Sequence, residues 1–217
     1  MAQGFFQELL AGVETRWREV LEHPFLLELA AGVLPRERFF YYLSQDDYYL
    51  EDMLAAVGGL VVKAREKDLR RFAIRLLHET VQGEIAMHEM LEREEGFTVH
   101  PPSWVTLGYG DFLVRTALTG EPFDILVSLA PCFVSYRDIG IRYVRRLTEN
   151  TPALYRAFFA SYAGETYGKL VEEFLVFLEK EALRASPLAK ERAHALFARA
   201  TEYEWLFWEE SYRFLPS

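Results

Sequence analysis

Apolar residues return every three to four positions through almost the whole chain, and no stretch alternates apolar and polar residues as a half-buried strand would. The period is interrupted at His23-Pro24, Leu34-Pro35, Pro101-Pro102, Thr119-Gly120-Glu121-Pro122, Thr151-Pro152 and Ser186-Pro187. Pro35, Pro102, Pro122, Pro152 and Pro187 each precede good helix formers, and proline suits the first helical turn because its missing N–H is not needed there. The pattern predicts an all-α, single-domain bundle of about eight helices, at approximately 3–21, 24–33, 36–65, 67–94, 102–118, 122–148, 152–183 and 187–213. The segment 122–148 is apolar on more than one side, which puts it in the middle of the bundle or at a subunit interface.

Polar residues inside the apolar stripes are the informative exceptions. In the third helix Phe39, Leu43, Leu50, Leu54, Val57 and Val61 form one stripe, with Asp46 inside it. Tyr49, three residues on, projects to the same side. An isolated carboxylate there is costly, so Asp46 needs either a cationic partner or a ligand. Ala193, Leu196, Phe197, Ala200, Phe207, Trp208 and Ser211 define the inward stripe of the last helix, and Glu204 lies at its middle, whereas Glu202, Glu209 and Glu210 read as a solvated acidic face. Apolar surroundings favour the neutral form of Glu204, so it either carries a proton near neutral pH, as a general acid must, or pairs with an arginine.

Cys132 is the only cysteine and follows Pro131 inside an otherwise helical run, where proline removes the donor that would bond the Val127 carbonyl. It is either a small buried hydrophobe or a nucleophile beside a distorted helix. Tyr136 shares its face one turn later. Tyr109 and Tyr162 each have glycines close by that permit near approach of backbone or ligand.

Composition narrows the partners. With 24 Lys and Arg against 33 Asp and Glu the formal charge is −9, which repels phosphate backbones and anionic lipid, so nucleic acid is not an expected partner. A single cysteine makes no internal disulfide and no thiolate zinc cluster, consistent with a reducing, cytoplasmic setting. The first residues lack a basic segment, and no apolar run approaches the roughly 20 residues that span a bilayer, so neither a secretion signal nor a membrane segment is expected. Asn150 is the only asparagine, a depletion associated with heat-adapted proteins.

Five segments in order, His23-Pro24-Phe25, Tyr42 to Leu50, Leu129 to Tyr136 with Ile139-Gly140, Ser161-Tyr162 and Glu202 to Trp208, resemble the TenA / thiaminase II family. The resemblance runs nearly end to end and implies a haem-oxygenase-like helical fold. It implies that Asp46 and Tyr49 bind a pyrimidine, that Cys132 is the nucleophile with Tyr136 one turn later, that Tyr109 and Tyr162 are further pocket tyrosines, and that Glu204 is the catalytic acid. Asp47, where a neutral residue is common in the family, leaves open which of the two aspartates meets the ring. The activity implied is hydrolysis of an aminomethyl pyrimidine or of thiamine, without metal or cofactor, by a homotetramer acting on a small molecule. Two other readings differ in kind. A metal oxidase of the same fold wants Glu-x-x-His on two helices, and here only Glu191-x-x-His194 fits, so metal analysis discriminates. A non-catalytic regulator has no reason to bury Asp46, Cys132 and Glu204 around one hole, and such a protein would bind no aminopyrimidine.

Overall fold

The computed structural model describes residues 4–96 and 98–215. Among these, every regular element is helical: α1 (Phe5–Ala11), α2 (Glu14–Leu21), α3 (Pro24–Ala31), α4 (Arg36–Lys63), α5 (Lys67–Thr80), a π-helical turn (Val81–Ile85), α6 (Ala86–Glu95), α7 (Trp104–Thr119), α8 (Pro122–Val144), α9 (Ala153–Ala163), α10 (Glu165–Arg184) and α11 (Pro187–Arg213). The expected all-α bundle is observed, with three of its helices each divided in two. The segment 3–21 breaks at Gly12-Val13, 67–94 is interrupted by the π-helical turn, and 152–183 breaks at Gly164, whose extended backbone ends α9 and caps α10.

Local chemistry sets the ends. Pro24, Pro122 and Pro187 sit in first turns. The Ser103 and Ser186 side chains accept backbone N–H groups of Thr106 and Ala189, which satisfies donors that a helix start leaves orphaned. A reciprocal Glu121/Asp124 capping box opens α8, and Asp124 also takes two bonds of 2.9 Å from the Arg192 guanidinium of α11, which ties the two helices together. Gly32 ends α3 with φ of 75°, where a side chain is strained and a Cβ would in addition press on Asn150 and Thr151 at 3.0 Å.

Three long helices organise the core. α8 packs on α11, α9 and α10, and α4 packs on α7 and α5 while also touching α8 and α11. α8 is buried on nearly all sides, as its apolar composition requires, and runs unbroken through Pro131. Phe25, Tyr42 and Trp208 lie against one another, with Tyr42 stacked on Trp208 at 5.0 Å between ring centres. This aromatic mass fixes α3, α4 and α11 around α8, so side chains from α4 and α8 that interrupt their apolar stripes face one interior space.

Candidate functional site

That space lies beside Cys132 and is lined by Asp46, Tyr49, Leu50 and Met53 of α4, Glu84 of the π-helical turn, Cys132, Phe133 and Tyr136 of α8, Tyr162 of α9 and Tyr167 of α10. It is tight, with about 10 Å³ of free volume, which is room for roughly one water. Glu84, Phe133, Tyr162 and Tyr167 also wall a much larger outer vestibule of about 500 Å³, which reaches His78, Glu79, Met87 and Thr166. These four side chains therefore separate an inner, thiol-bearing cavity from an outer one.

Asp46 is 3% exposed and is approached by the Tyr42 hydroxyl at 3.4 Å, and that hydroxyl shares a 2.9 Å bond with Tyr136. Burial and the neighbouring Glu84 carboxylate push Asp46 well above the ordinary carboxylate range, and His88 offsets only part of this. His88 is itself buried. Its Nδ1 donates to Asp47 at 2.6 Å and its Nε2 lies 3.6 Å from Asp46. Burial works against an imidazolium here, but the bond to Asp47 and the charges of Asp46 and Glu84 outweigh it, so the pKa of His88 is raised. The two aspartates thus separate in role: Asp46 faces the cavity, and Asp47, more exposed, holds the histidine behind it.

Glu204 accepts a 2.6 Å bond from the Tyr109 hydroxyl, and the Ser135 hydroxyl, which donates to the Cys132 carbonyl at 3.4 Å, also favours its charged form. Burial raises its pKa to about 7 in spite of both hydroxyls. No arginine pairs with it among the described residues. Cys132 borders the cavity, and burial, reinforced by the nearby Glu204 charge, pushes its thiol well above the usual range. The Tyr49 hydroxyl lies beside the thiol, and its influence acts in the opposite sense. Among the described residues that hydroxyl is buried and makes no well-formed hydrogen bond, an unmet donor on a residue of the cavity wall. The Tyr162 hydroxyl donates to Glu84.

Of the seven residues singled out in the sequence, Asp46, Tyr49, Cys132, Tyr136 and Tyr162 line the inner cavity, whereas Glu204 and Tyr109 do not, and Glu204 bears on it through its charge, which acts on Asp46 and Cys132. Tyr109 reaches the site through Glu204 and through its ring, 4.8 Å from that of Tyr49. Four further residues escaped the sequence reading: Tyr42, Glu84, His88 and Tyr167. Tyr42 is one turn before Asp46 on the same face and was legible in principle. Glu209 and Glu210 are not a solvated face. They are partly buried and bond His23 at 3.1 Å, and Tyr41 and Ser103 at 2.8 and 2.7 Å. No helix of the described residues is long and apolar enough to cross a membrane, and among those residues no group of three or more His, Cys, Asp or Glu is arranged to hold a metal ion.

Residues 10–214 match the model of the TENA/THI-4/PQQC family. An aminopyrimidine aminohydrolase of Bacillus subtilis is 29% identical over 96% of this chain and 90% of its own length. A TenA homologue of P. horikoshii superposes with a TM-score of 0.89 at 28% identity, covering 97% of this chain and 99% of that one. A domain with a heme oxygenase-like fold from Shewanella denitrificans, 16% identical, superposes with a TM-score of 0.72 over 96% of this chain and 92% of its own, which shows the shared fold.

Proposed function

Because the chain belongs to the TENA/THI-4/PQQC family, we propose that its inner cavity hydrolyses an aminopyrimidine at the methylene carbon of the ring substituent, converting 4-amino-5-aminomethyl-2-methylpyrimidine to the 5-hydroxymethyl compound in thiamine salvage, with thiamine as a second substrate. The observation that carries this is a lone thiol and a buried carboxyl, Cys132 and Asp46, on the wall of one tyrosine-lined space, with a second buried carboxyl, Glu204, near enough for its charge to bear on both.

Each group has a task that its environment suits. Asp46 accepts from the exocyclic amine of the ring and fixes its register. Glu204, about half protonated near neutral pH, donates to the ring nitrogen next to the carbon that Cys132 attacks, which makes that carbon electrophilic. Cys132 begins as a thiol because burial opposes its charge, so as the carbon–sulfur bond forms its proton passes to the Glu204 carboxylate that has just protonated the ring nitrogen. The electron pair then returns through C5 to expel the amine, leaving an exocyclic alkene. Water adds to that alkene, and departure of the sulfur restores the aromatic ring. Tyr49 and Tyr136 hold the ring faces and edges, Tyr109 orients Glu204, and Tyr162 stands at the entrance. With so little free volume, admission of the ring requires Phe133, Tyr162 and Tyr167 to turn aside.

The test compares specificity constants of the pure protein for the aminomethyl pyrimidine and for thiamine, alongside Cys132→Ser. The variant is expected to keep its fold and its ability to bind pyrimidine while losing turnover. Unchanged turnover in Cys132→Ser removes the nucleophile, and absence of turnover and of binding in the wild type removes the proposed reaction.

A further inference from the structure

Glu84 takes no part in the steps above, yet among the described residues it supplies the one carboxylate that borders both the inner cavity and the outer vestibule. It is half-buried, on a π-helical turn that inserts a residue between α5 and α6 and so redirects the side chains there. Tyr162 bonds one of its oxygens, Oε1, and among the described residues Oε2 has no partner. Its place in the inner lining sets it at the inner end of the passage, where its charge acts on Asp46 and Tyr162 and, less, on the Cys132 thiol.

Consider a ring held at its amino edge by Asp46 and attacked by Cys132. The carbon bearing the methylene lies between those two ring positions, so its substituent projects between Asp46 and Cys132. A departing group has the larger outer vestibule beside it with volume to receive it, and Glu84 and Tyr162 stand on the way there. We propose that Glu84 reads the leaving group as a cation, and so makes the site selective for a protonated aminomethyl substituent over an uncharged one such as formylamino.

The chemistry is consistent with this role. A primary alkylamine carries its proton at neutral pH. When the carbon–nitrogen bond breaks, its electron pair goes to a nitrogen that already bears three hydrogens, and ammonia departs without drawing a proton from Glu84. An ammonium group gives the free Oε2 a charge-assisted partner, whereas a neutral amide gives it a weaker one and leaves a carboxylate uncompensated in a confined space.

This inference rests on the reaction proposed above, and its test separates the two. Specificity constants for the aminomethyl pyrimidine and for its formylamino analogue are measured for the wild type and for Glu84→Gln, which keeps an acceptor for Tyr162. The charged substrate is expected to lose about 10- to 100-fold in the variant while the neutral one changes by less than about 3-fold. Tyr162→Phe, which removes the hydroxyl but keeps the carboxylate, is expected to retain the preference for the charged substrate. Equal losses on both substrates in Glu84→Gln, or no change on either, overturn the role of Glu84 while leaving the reaction standing. A wild type that turns over neither substrate overturns the reaction and the inference with it.

Discussion

Replacing Glu204 by Gln should make the protein more stable at alkaline pH and a worse catalyst, and the size of the gain follows from the site. In the unfolded chain this carboxyl titrates near 4.5, and in the folded protein burial moves it to about 7. The folded state therefore holds a proton that the unfolded state has released, so stability is full below the unfolded value and falls as pH rises, levelling off once pH has passed the folded value. At about 1.4 kcal/mol per pH unit, the displacement from 4.5 to about 7 corresponds to about 3 kcal/mol lost between about pH 4 and about pH 8. Gln carries no charge at either pH and keeps an oxygen for the 2.6 Å bond from Tyr109, so the variant escapes this loss. In urea unfolding, the advantage of Glu204→Gln over the wild type should grow by about 3 kcal/mol from the acid to the alkaline condition. The wild-type rate, which needs the protonated carboxyl, should fall as pH rises through about 7, and that fall should vanish from the residual activity of the variant. A stability difference equal at the two pH values would refute the claim that Glu204 is forced neutral by burial, and with it the reason to make it the acid.

The remaining expectations bear on the supports of the site. Asp47→Asn removes the partner that does most to raise His88, so NMR titration of that imidazole should show its pKa falling, and an unchanged value would mean that Asp46 and Glu84 alone hold the charge. Gly140→Ala would set a Cβ 2.5 Å from the Ala163 nitrogen and 2.6 Å from the Tyr162 carbonyl carbon, both backbone atoms, so α8 and α9 must part. Overpacking of this kind costs about 1–3 kcal/mol and should lower the thermal midpoint by several degrees, with weaker pyrimidine binding because Tyr162 moves too. A midpoint equal to that of the wild type would show that α9 shifts freely.

What could be read in the sequence follows from where regular geometry holds. Asp46 and Glu204 stood out because α4 and α11 are unbroken over 28 and 27 residues, so a wheel of constant pitch places every side chain, and a carboxyl on an apolar stripe is conspicuous. Glu84 was invisible for the same reason. It lies in a π-helical turn, where the pitch changes and the periodicity that would place it fails. Tyr42 was hidden by its own chemistry, since a tyrosine among Phe39 and Leu43 looks like core until its hydroxyl is seen between Asp46 and Tyr136. The breaks at Gly12 and Gly164 leave the apolar period intact on either side, so each divided helix looked continuous. Glu209 and Glu210 looked solvated because a single helix says nothing of the His23, Tyr41 and Ser103 donors brought up from α3, α4 and α7.

The same burial that makes these groups conspicuous also sets the resting charge of the site. Asp46, Glu204 and Cys132 each have their neutral form favoured by desolvation, and the anion of any one raises the pKa of another, since Glu204 acts on both Asp46 and Cys132 and Glu84 acts on both as well. A substrate that arrives with a basic ring nitrogen and a cationic side arm reverses the balance: the ring can take the proton of Glu204, and the side arm offsets the charge left behind. In the proposed reaction the proton needed for addition is thus held on Glu204 by the low polarity of the tyrosine cage, and the one that leaves with ammonia arrives on the substrate. Enlarging the cage to admit water should lower the pKa of Glu204 together with the rate, which ties the aromatic packing of α4, α8 and α11 directly to the acid that the chemistry requires.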